Sequence, residues 1–293
     1  MFTQELLCGI TSGEYLSLER SYKMLLYILP LTILITLTII YIKFSKKIPI
    51  LMYHRIADVP GDRNSLPPEK FEQQLQYLHS KGYTPINMEQ LYAHYVLGEK
   101  LPPKSIVLTF DDGYADNLYS AMPIMQKYNM IGNVFVIANW IGKENKWENF
   151  GKAPTVTMTE QELLEWQNKG NYIGSHTVSH PNLNLCDKLQ LIEELAHSKK
   201  SLDLITGTDI KSICYPYGNF NNLVIETARE TGYKIGLAIF NQAPIWDFNI
   251  LALPRIPIPS GQKMWEFKLK VSKLHMLFVI LRQAERKIKM LFR

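Results

Sequence analysis

From residue 48 to about residue 260, short apolar runs alternate with longer segments of helical periodicity, and this alternation restricts the fold more than any other feature of the sequence. The apolar runs predict strands over residues 48–53, 105–109, 132–137, 172–175, 213–215, 235–238 and 251–256. Helical spacing predicts helices over 68–81, 88–97, 117–128, 159–168, 189–207 and 221–231, the fourth opening on a Thr159-Glu160-Gln161-Glu162 capping box. Strands separated by helices read as βαβ units feeding a parallel sheet. Six or seven such units in about 210 residues suit a closed α/β barrel better than an open sheet. In barrels of that kind, chemistry collects on the loops that follow the strands.

The ends of the chain belong to something else. Residues 24–42 form a nineteen-residue stretch without a charge, which as a helix spans roughly 28 Å, close to the hydrocarbon thickness of a bilayer. Tyr22, Tyr27 and Tyr41 lie near its ends, where amphipathic rings favour the interface. The run is too long for a signal peptide's apolar region, and Tyr41-Ile42-Lys43-Phe44 offers no small-residue cleavage site. The expectation is a single-pass membrane anchor following an N-terminal segment, residues 1–23. Arg20 and Lys23 in front against Lys43, Lys46 and Lys47 behind give a margin of one in favour of a cytoplasmic catalytic side.

Residues 261–293 hold nine Lys or Arg against Glu266 and Glu285. That tail carries more than the whole net charge of +5, so the body is slightly acidic and nucleic acid is not an expected partner. Apolar residues at Met264, Phe267, Val271, Leu274, Phe278 and Leu281 fit one helix face. Such a basic amphipathic helix either closes the domain with a solvated basic face or lies on anionic lipid. Three scattered cysteines exclude a disulfide framework and a zinc ribbon.

Polar residues gather where the predicted strands end. The run Ile106–Phe110 leads into Asp111-Asp112-Gly113-Tyr114. Adjacent carboxylates there repel unless they bind something; a helix cap would account for only one of them. After Tyr172-Ile173 comes Ser175-His176-Thr177-Val178-Ser179-His180-Pro181, two imidazoles four residues apart. One carboxylate and two histidines make three ligands, the open set of a catalytic metal site. Further strand ends carry Tyr53-His54, Cys214-Tyr215-Pro216-Tyr217-Gly218 and Arg255, and a lone Arg among apolar residues wants a carboxylate partner.

These motifs resemble the polysaccharide deacetylase family, the NodB-like domain of carbohydrate esterase family four. Thr109-Phe110-Asp111-Asp112-Gly113-Tyr114 matches its first motif and Ser175-His176-x-x-x-His180-Pro181 its second. The pattern Phe71-x-x-Gln74-Leu75-x-x-Leu78-x-x-x-Gly82-Tyr83 is similar to the branch that deacetylates poly-N-acetylglucosamine. The resemblance implies a distorted (β/α)7-type barrel over residues 48–260. It implies one divalent ion, Zn2+ in most members, on Asp112, His176 and His180, with Asp111 as general base and Arg255 orienting it. The backbone N–H of Tyr217 would stabilise the oxyanion, and Tyr53, Tyr114, Pro216 and Trp246 would meet the glycan.

The sequence departs from the family in three places. The third motif lacks its leading Arg, with Ser212, Ile213 and Lys211 in that region; the fourth is reduced to Trp246-Asp247. The fifth motif's histidine is missing, leaving His54, ahead of His275, as the candidate general acid. The expected activity is removal of N-acetyl groups from N-acetylhexosamine units of a polysaccharide. Alternatives are a lipid-linked sugar as substrate, an O-acetyl esterase, or an inactive glycan-binding module at the membrane.

Overall fold

The structure, a computed structural model, describes residues 12–44, 47–145, 155–239, 248–275 and 279. The chain divides into two compact units, Ile48–Lys268 and the two ends, Met1–Lys47 with Leu269–Arg293.

Helix α1 (Ser12–Phe44) contains the apolar run, with Pro30 inside it. Its stretch Glu19–Ile42 is long and apolar enough to cross a membrane, with a mean hydropathy of 2.4. Thr32, Thr36 and Thr38 return their hydroxyls to carbonyls one turn back.

The second unit begins with β1 (Ile50–Tyr53), α2 (Pro68–Ser80), β2 (Thr84–Pro85) and α3 (Met88–Tyr92). It continues through β3 (Ser105–Phe110), α4 (Met122–Lys127), β4 (Asn133–Val136), α5 (Glu160–Asn168), β5 (Tyr172–Ser175) and α6 (Lys188–Thr206). It ends with β6 (Ser212–Cys214), α7 (Asn222–Glu230), β7 (Ile235–Ile239), β8 (Leu253–Pro257) and α8 (Met264–Val271). Every pairing between these strands is parallel, in the order β1-β8-β7-β6-β5-β4-β3, and β1 pairs with β3 to close a seven-stranded barrel. β1 and β3 run in register from Ile50 opposite Val107 to Tyr53 opposite Phe110. Six consecutive residues of β3 are buried, as parallel strands covered on both faces require.

All seven predicted barrel strands are present, each within two residues of its expected ends. β2 was not expected; it pairs with Ser105 and Ile106 at the start of β3. β4 joins β3 only at Thr109 and Phe110, and the buried Asn133 serves the backbone nearby. Its Nδ2 donates to the Leu108 carbonyl at 3.0 Å and its Oδ1 accepts from Met88 N–H at 2.9 Å. The predicted helices over 88–97 and 117–128 each contain a π-helical turn, at Ala93–Leu97 and Asn117–Ala121. The capping box at Thr159 and Glu162 is formed.

The C-terminal tail differs from expectation. α8 ends at Val271 and a turn occupies residues 272–274, so the spacing from Met264 to Leu281 does not extend as one continuous helix. Inside the barrel unit, α8 buries Phe267 completely, edge-on to Tyr77 with ring centroids 6.3 Å apart. Phe278 and Leu281 lie outside the described residues.

An aromatic layer backs the strands that carry the two aspartates. Tyr53 stacks on Phe110 at 5.5 Å, Phe71 stands edge-on to both, and Trp166 meets Phe110 at 5.9 Å. Trp166 is fully buried, and truncating such a ring to Ala costs about 3–5 kcal/mol.

Candidate active site

The strand ends deliver their polar side chains to one place. Asp111 directly follows β3, and its N–H donates to the Tyr53 carbonyl at 3.0 Å, tying it to the end of β1. His176 directly follows β5, with its N–H on the Val136 carbonyl at 2.8 Å. Arg255 lies within β8.

The neighbouring aspartates have opposite surroundings. Arg255 grips Asp111 with both terminal nitrogens, Nη1 to Oδ1 at 2.6 Å and Nη2 to Oδ2 at 2.8 Å, and Nη1 also donates to Thr109 Oγ1 at 3.1 Å. Both partners are buried, so the pair is a bidentate, desolvated ion pair. Burial alone pushes the Asp111 carboxyl up, but the Arg255 charge and hydrogen bonds more than offset this and hold it well below the usual carboxylate range.

Cys214 shares this corner. Its Sγ accepts from Arg255 Nη2 at 2.8 Å and lies 3.6 Å from Asp111 Oδ1, and burial pushes the thiol up. Sequence reading missed this residue; Lys211, just before β6, lies 4.0 Å from Glu89 instead. A cysteine between Ile213 and Tyr215 in an apolar strand reads as packing, so no local signal marked it.

Asp112 faces the histidines. Its Oδ1 lies 3.5 Å from His176 Nε2 and 3.6 Å from His180 Nε2, and the three side chains can offer ligand atoms within 4.8 Å of one another. The tautomer of His176 follows from its other nitrogen. Nδ1 is 2.7 Å from the Cys214 carbonyl, which only accepts, so Nδ1 carries the hydrogen and Nε2 presents a lone pair to Asp112. Burial holds the His176 imidazole neutral, its pKa pushed down to about 4 against the raising effect of Asp111. His180 is lowered further by burial and by His176. A carboxylate oxygen facing the lone pair of His176 Nε2 in a buried site is repulsive unless a cation lies between them, so this donor set fits a divalent metal ion. A hydrogen bond from Nδ1 to a carbonyl is also the usual way a ligating imidazole is oriented.

Backbone strain marks the same site. Asp112 (φ 71°), Thr177 (φ 70°), His180 (φ 66°) and Tyr217 (φ 58°) are four of the six non-glycine residues with positive φ among the described residues. Each such conformation costs of order 1–3 kcal/mol and persists where surrounding contacts impose it. Gly218 follows with φ +69°, and a Cβ there would fall 2.5 Å from Ile239 Cγ1.

His54 follows β1 with its Nε2 3.9 Å from Asp111 Oδ2 and its side chain 20% exposed. Tyr217 is half exposed, its ring edge-on to His180 at 4.7 Å. His275, the other acid candidate, belongs to the compact unit of the chain ends.

Three expected glycan contacts are corrected. Tyr53 is 1% exposed in the aromatic layer, its hydroxyl 2.8 Å from Gln74 Oε1. Adjacent strand residues point to opposite faces, so sending His54 to the site sends Tyr53 away from it. Tyr114 is buried, its ring under the Arg55 guanidinium and its hydroxyl accepting from Asn145 Nδ2 at 3.3 Å. Pro216 is buried in the short turn before Gly218. Trp246 and Asp247 lie outside the described residues.

A parallel α/β barrel with carboxylates and imidazoles at its strand ends defines a class of hydrolases, and the comparisons identify the family. Residues 98–236 match the polysaccharide deacetylase family. The Bacillus subtilis polysaccharide deacetylase homologue YxkH is 32% identical over 223 residues, covering 75% of each chain. The poly-β-1,6-N-acetyl-D-glucosamine N-deacetylase of Staphylococcus aureus is 27% identical over 199 residues, 66% of this chain and 68% of that one. Among solved structures, the Streptococcus pyogenes deacetylase PplD in complex with acetate superposes with a TM-score of 0.67 at 26% identity, over 77% of this chain and 98% of that one. IcaB from Ammonifex degensii shares the fold, with a TM-score of 0.63 at 20% identity over 76% of this chain and 95% of that one. The chain belongs to the polysaccharide deacetylase family, carbohydrate esterase family four, whose members hydrolyse the amide bonds of N-acetylated sugars.

Proposed function

We propose that this chain is a membrane-tethered, divalent-metal-dependent N-deacetylase acting on N-acetylhexosamine units of a polysaccharide. The observation that carries the reading is the division of labour between Asp111 and Asp112, one locked to a guanidinium and the other facing two neutral imidazoles.

Asp112, His176 and His180 would hold the ion, and two nitrogens with one carboxylate suit Zn2+. When bound, the ion polarises the acetyl carbonyl and acidifies water, which lets a carboxylate held as low as that of Asp111 accept a proton. Arg255 keeps Asp111 ionised and fixes its plane, with His54 Nε2 3.9 Å from its Oδ2. Asp111 takes a proton from the attacking water as the new carbon–oxygen bond forms. The peptide N–H of Tyr217, in its left-handed turn beside His180, steadies the negative oxygen. His54 donates a proton to the departing nitrogen as the carbon–nitrogen bond breaks. Acetate and a free amine result.

The similarity to the Staphylococcus aureus enzyme supports a poly-N-acetylglucosamine-like substrate. The Glu19–Ile42 stretch, with no small-residue cleavage site after it, supports an uncleaved anchor.

Acetate release by the full chain in detergent, with metal and with chelator, tests the reading on an N-acetylglucosamine oligomer, a lipid-linked N-acetylhexosamine and an O-acetylated sugar. Chelator-sensitive release, greatest on the oligomer, is expected. Preference for either other substrate would replace the polymer with that class, and no release from metal-loaded protein would favour a binding module.

A further inference from the structure

The two histidine ligands are joined by a turn that does not stand on its own. Thr177 and His180 both hold positive φ, and within the turn His180 N–H reaches back to Thr177 Oγ1 at 3.1 Å. Glu194, in the middle of α6 and fourteen residues after His180, grips this turn from outside. Its Oε2 accepts from the consecutive N–H groups of Val178 and Ser179, both at 2.9 Å, and its Oε1 accepts from Ser179 Oγ at 2.5 Å. Consecutive N–H groups after a left-handed residue form a concave anion-binding nest, and a carboxylate fills it with charge-assisted hydrogen bonds. One helical turn on, Ser198 Oγ lies 2.6 Å from Ser175 Oγ, which itself accepts from Thr177 N–H at 3.3 Å. α6 therefore contacts the ligand segment on both sides of His176. The turn's carbonyls are held separately, Thr177 by Ala138 N–H and Val178 by Asn139 N–H, each at 3.0 Å.

We propose that Glu194 is a positioning residue for the metal centre: it fixes the strained turn between His176 and His180 and so sets how their two Nε2 atoms face Asp112. Glu194 acts through the backbone of the turn and takes no part in the chemistry. The inference rests on the metal reading above.

The test is Co2+ affinity and the visible absorption of bound Co2+, measured on the full chain in detergent for the wild type, Glu194→Ala, Glu194→Gln and Ser179→Ala. Glu194→Ala should weaken binding roughly ten-fold or more and change the spectrum, as loss of an outer partner does at metal sites. Glu194→Gln keeps one acceptor oxygen for the two N–H groups and should recover most of the affinity. Ser179→Ala removes one contact of three and should cost a few-fold at most, which keeps the proposal testable if Glu194→Ala does not fold. Wild-type affinity and spectrum in Glu194→Ala would overturn the proposal. So would equal losses in Ala and Gln that track only a lower melting temperature of the metal-free protein. Wild-type protein that binds no Co2+ would overturn the metal reading together with the inference, whereas an unchanged Glu194→Ala would overturn the inference alone.

Discussion

Asp111 and Asp112 are consecutive residues at the end of one strand, yet they occupy two different regions of the site. The Asp111 side is closed with protein groups: Arg255 satisfies both carboxylate oxygens, and Thr109 and Cys214 complete the corner. The Asp112 side brings together a carboxylate and two imidazoles whose ligand atoms lie within 4.8 Å of one another. The switch between them is conformational. Asp111 continues β3, whereas Asp112 turns into the left-handed region at φ 71° and so leaves the strand's alternation. One buried half grips its counter-charge directly, and the other gathers a donor set that fits a metal ion.

Removing a histidine should break the comparison most completely. His176→Ala is expected to abolish both metal binding and acetate release, read by metal content and turnover on one preparation. Full metal content in that variant would refute the ligand assignment.

Arg255→Ala attacks the other half. It strands a buried carboxylate, and breaking such a pair costs about 3–5 kcal/mol, measurable by urea denaturation. Without the guanidinium, burial alone raises the Asp111 carboxyl, so the variant also loses its ionised base. A variant as stable as the wild type would show that the pair is not isolated from water.

His54→Gln removes the imidazole 3.9 Å from Asp111 Oδ2 and should lower turnover about 100-fold while leaving metal affinity intact. An unchanged rate would remove His54 from the acid role.

The halves should also differ in acid. The folded pKa of His176, about 4, lies below the ordinary value near 6.5, so the unfolded chain takes up its proton first. That contribution to stability is whole above about pH 6.5 and is lost progressively towards pH 4, and the metal-free protein should weaken over that range in denaturant titrations. Asp111, held low by Arg255, begins to cost stability only below about pH 4. Metal-free stability that is flat from pH 7 to pH 4.5 would contradict the burial argument. The smallest expected effect is Cys214→Ala: His176 is oriented by the backbone carbonyl of Cys214, which survives, so a change of a few-fold in turnover is expected.

Much of this was legible in the sequence. The seven barrel strands announced themselves because parallel strands buried on both faces read as unbroken apolar runs, and the charged residues follow those runs directly. β2 was missed because two residues, one of them Pro85, leave no pattern. Tyr53 and Tyr114 were misplaced because proximity to His54 and Asp112 in sequence says nothing of side-chain direction. Tyr53 follows strand alternation away from the site, and Tyr114 follows the positive φ of Gly113 beneath Arg55. Glu194 could not be read at all, since its hold on the turn exists only once α6 packs beside β5.

The central claim is that the two aspartates do different work, and Asp111→Asn tests it most directly. The variant would be titrated with Co2+ and then assayed for acetate release from an N-acetylglucosamine oligomer. The account predicts metal binding close to that of the wild type, with turnover reduced at least 100-fold. Surviving turnover, or loss of the metal along with it, would contradict the division between the two halves of the site.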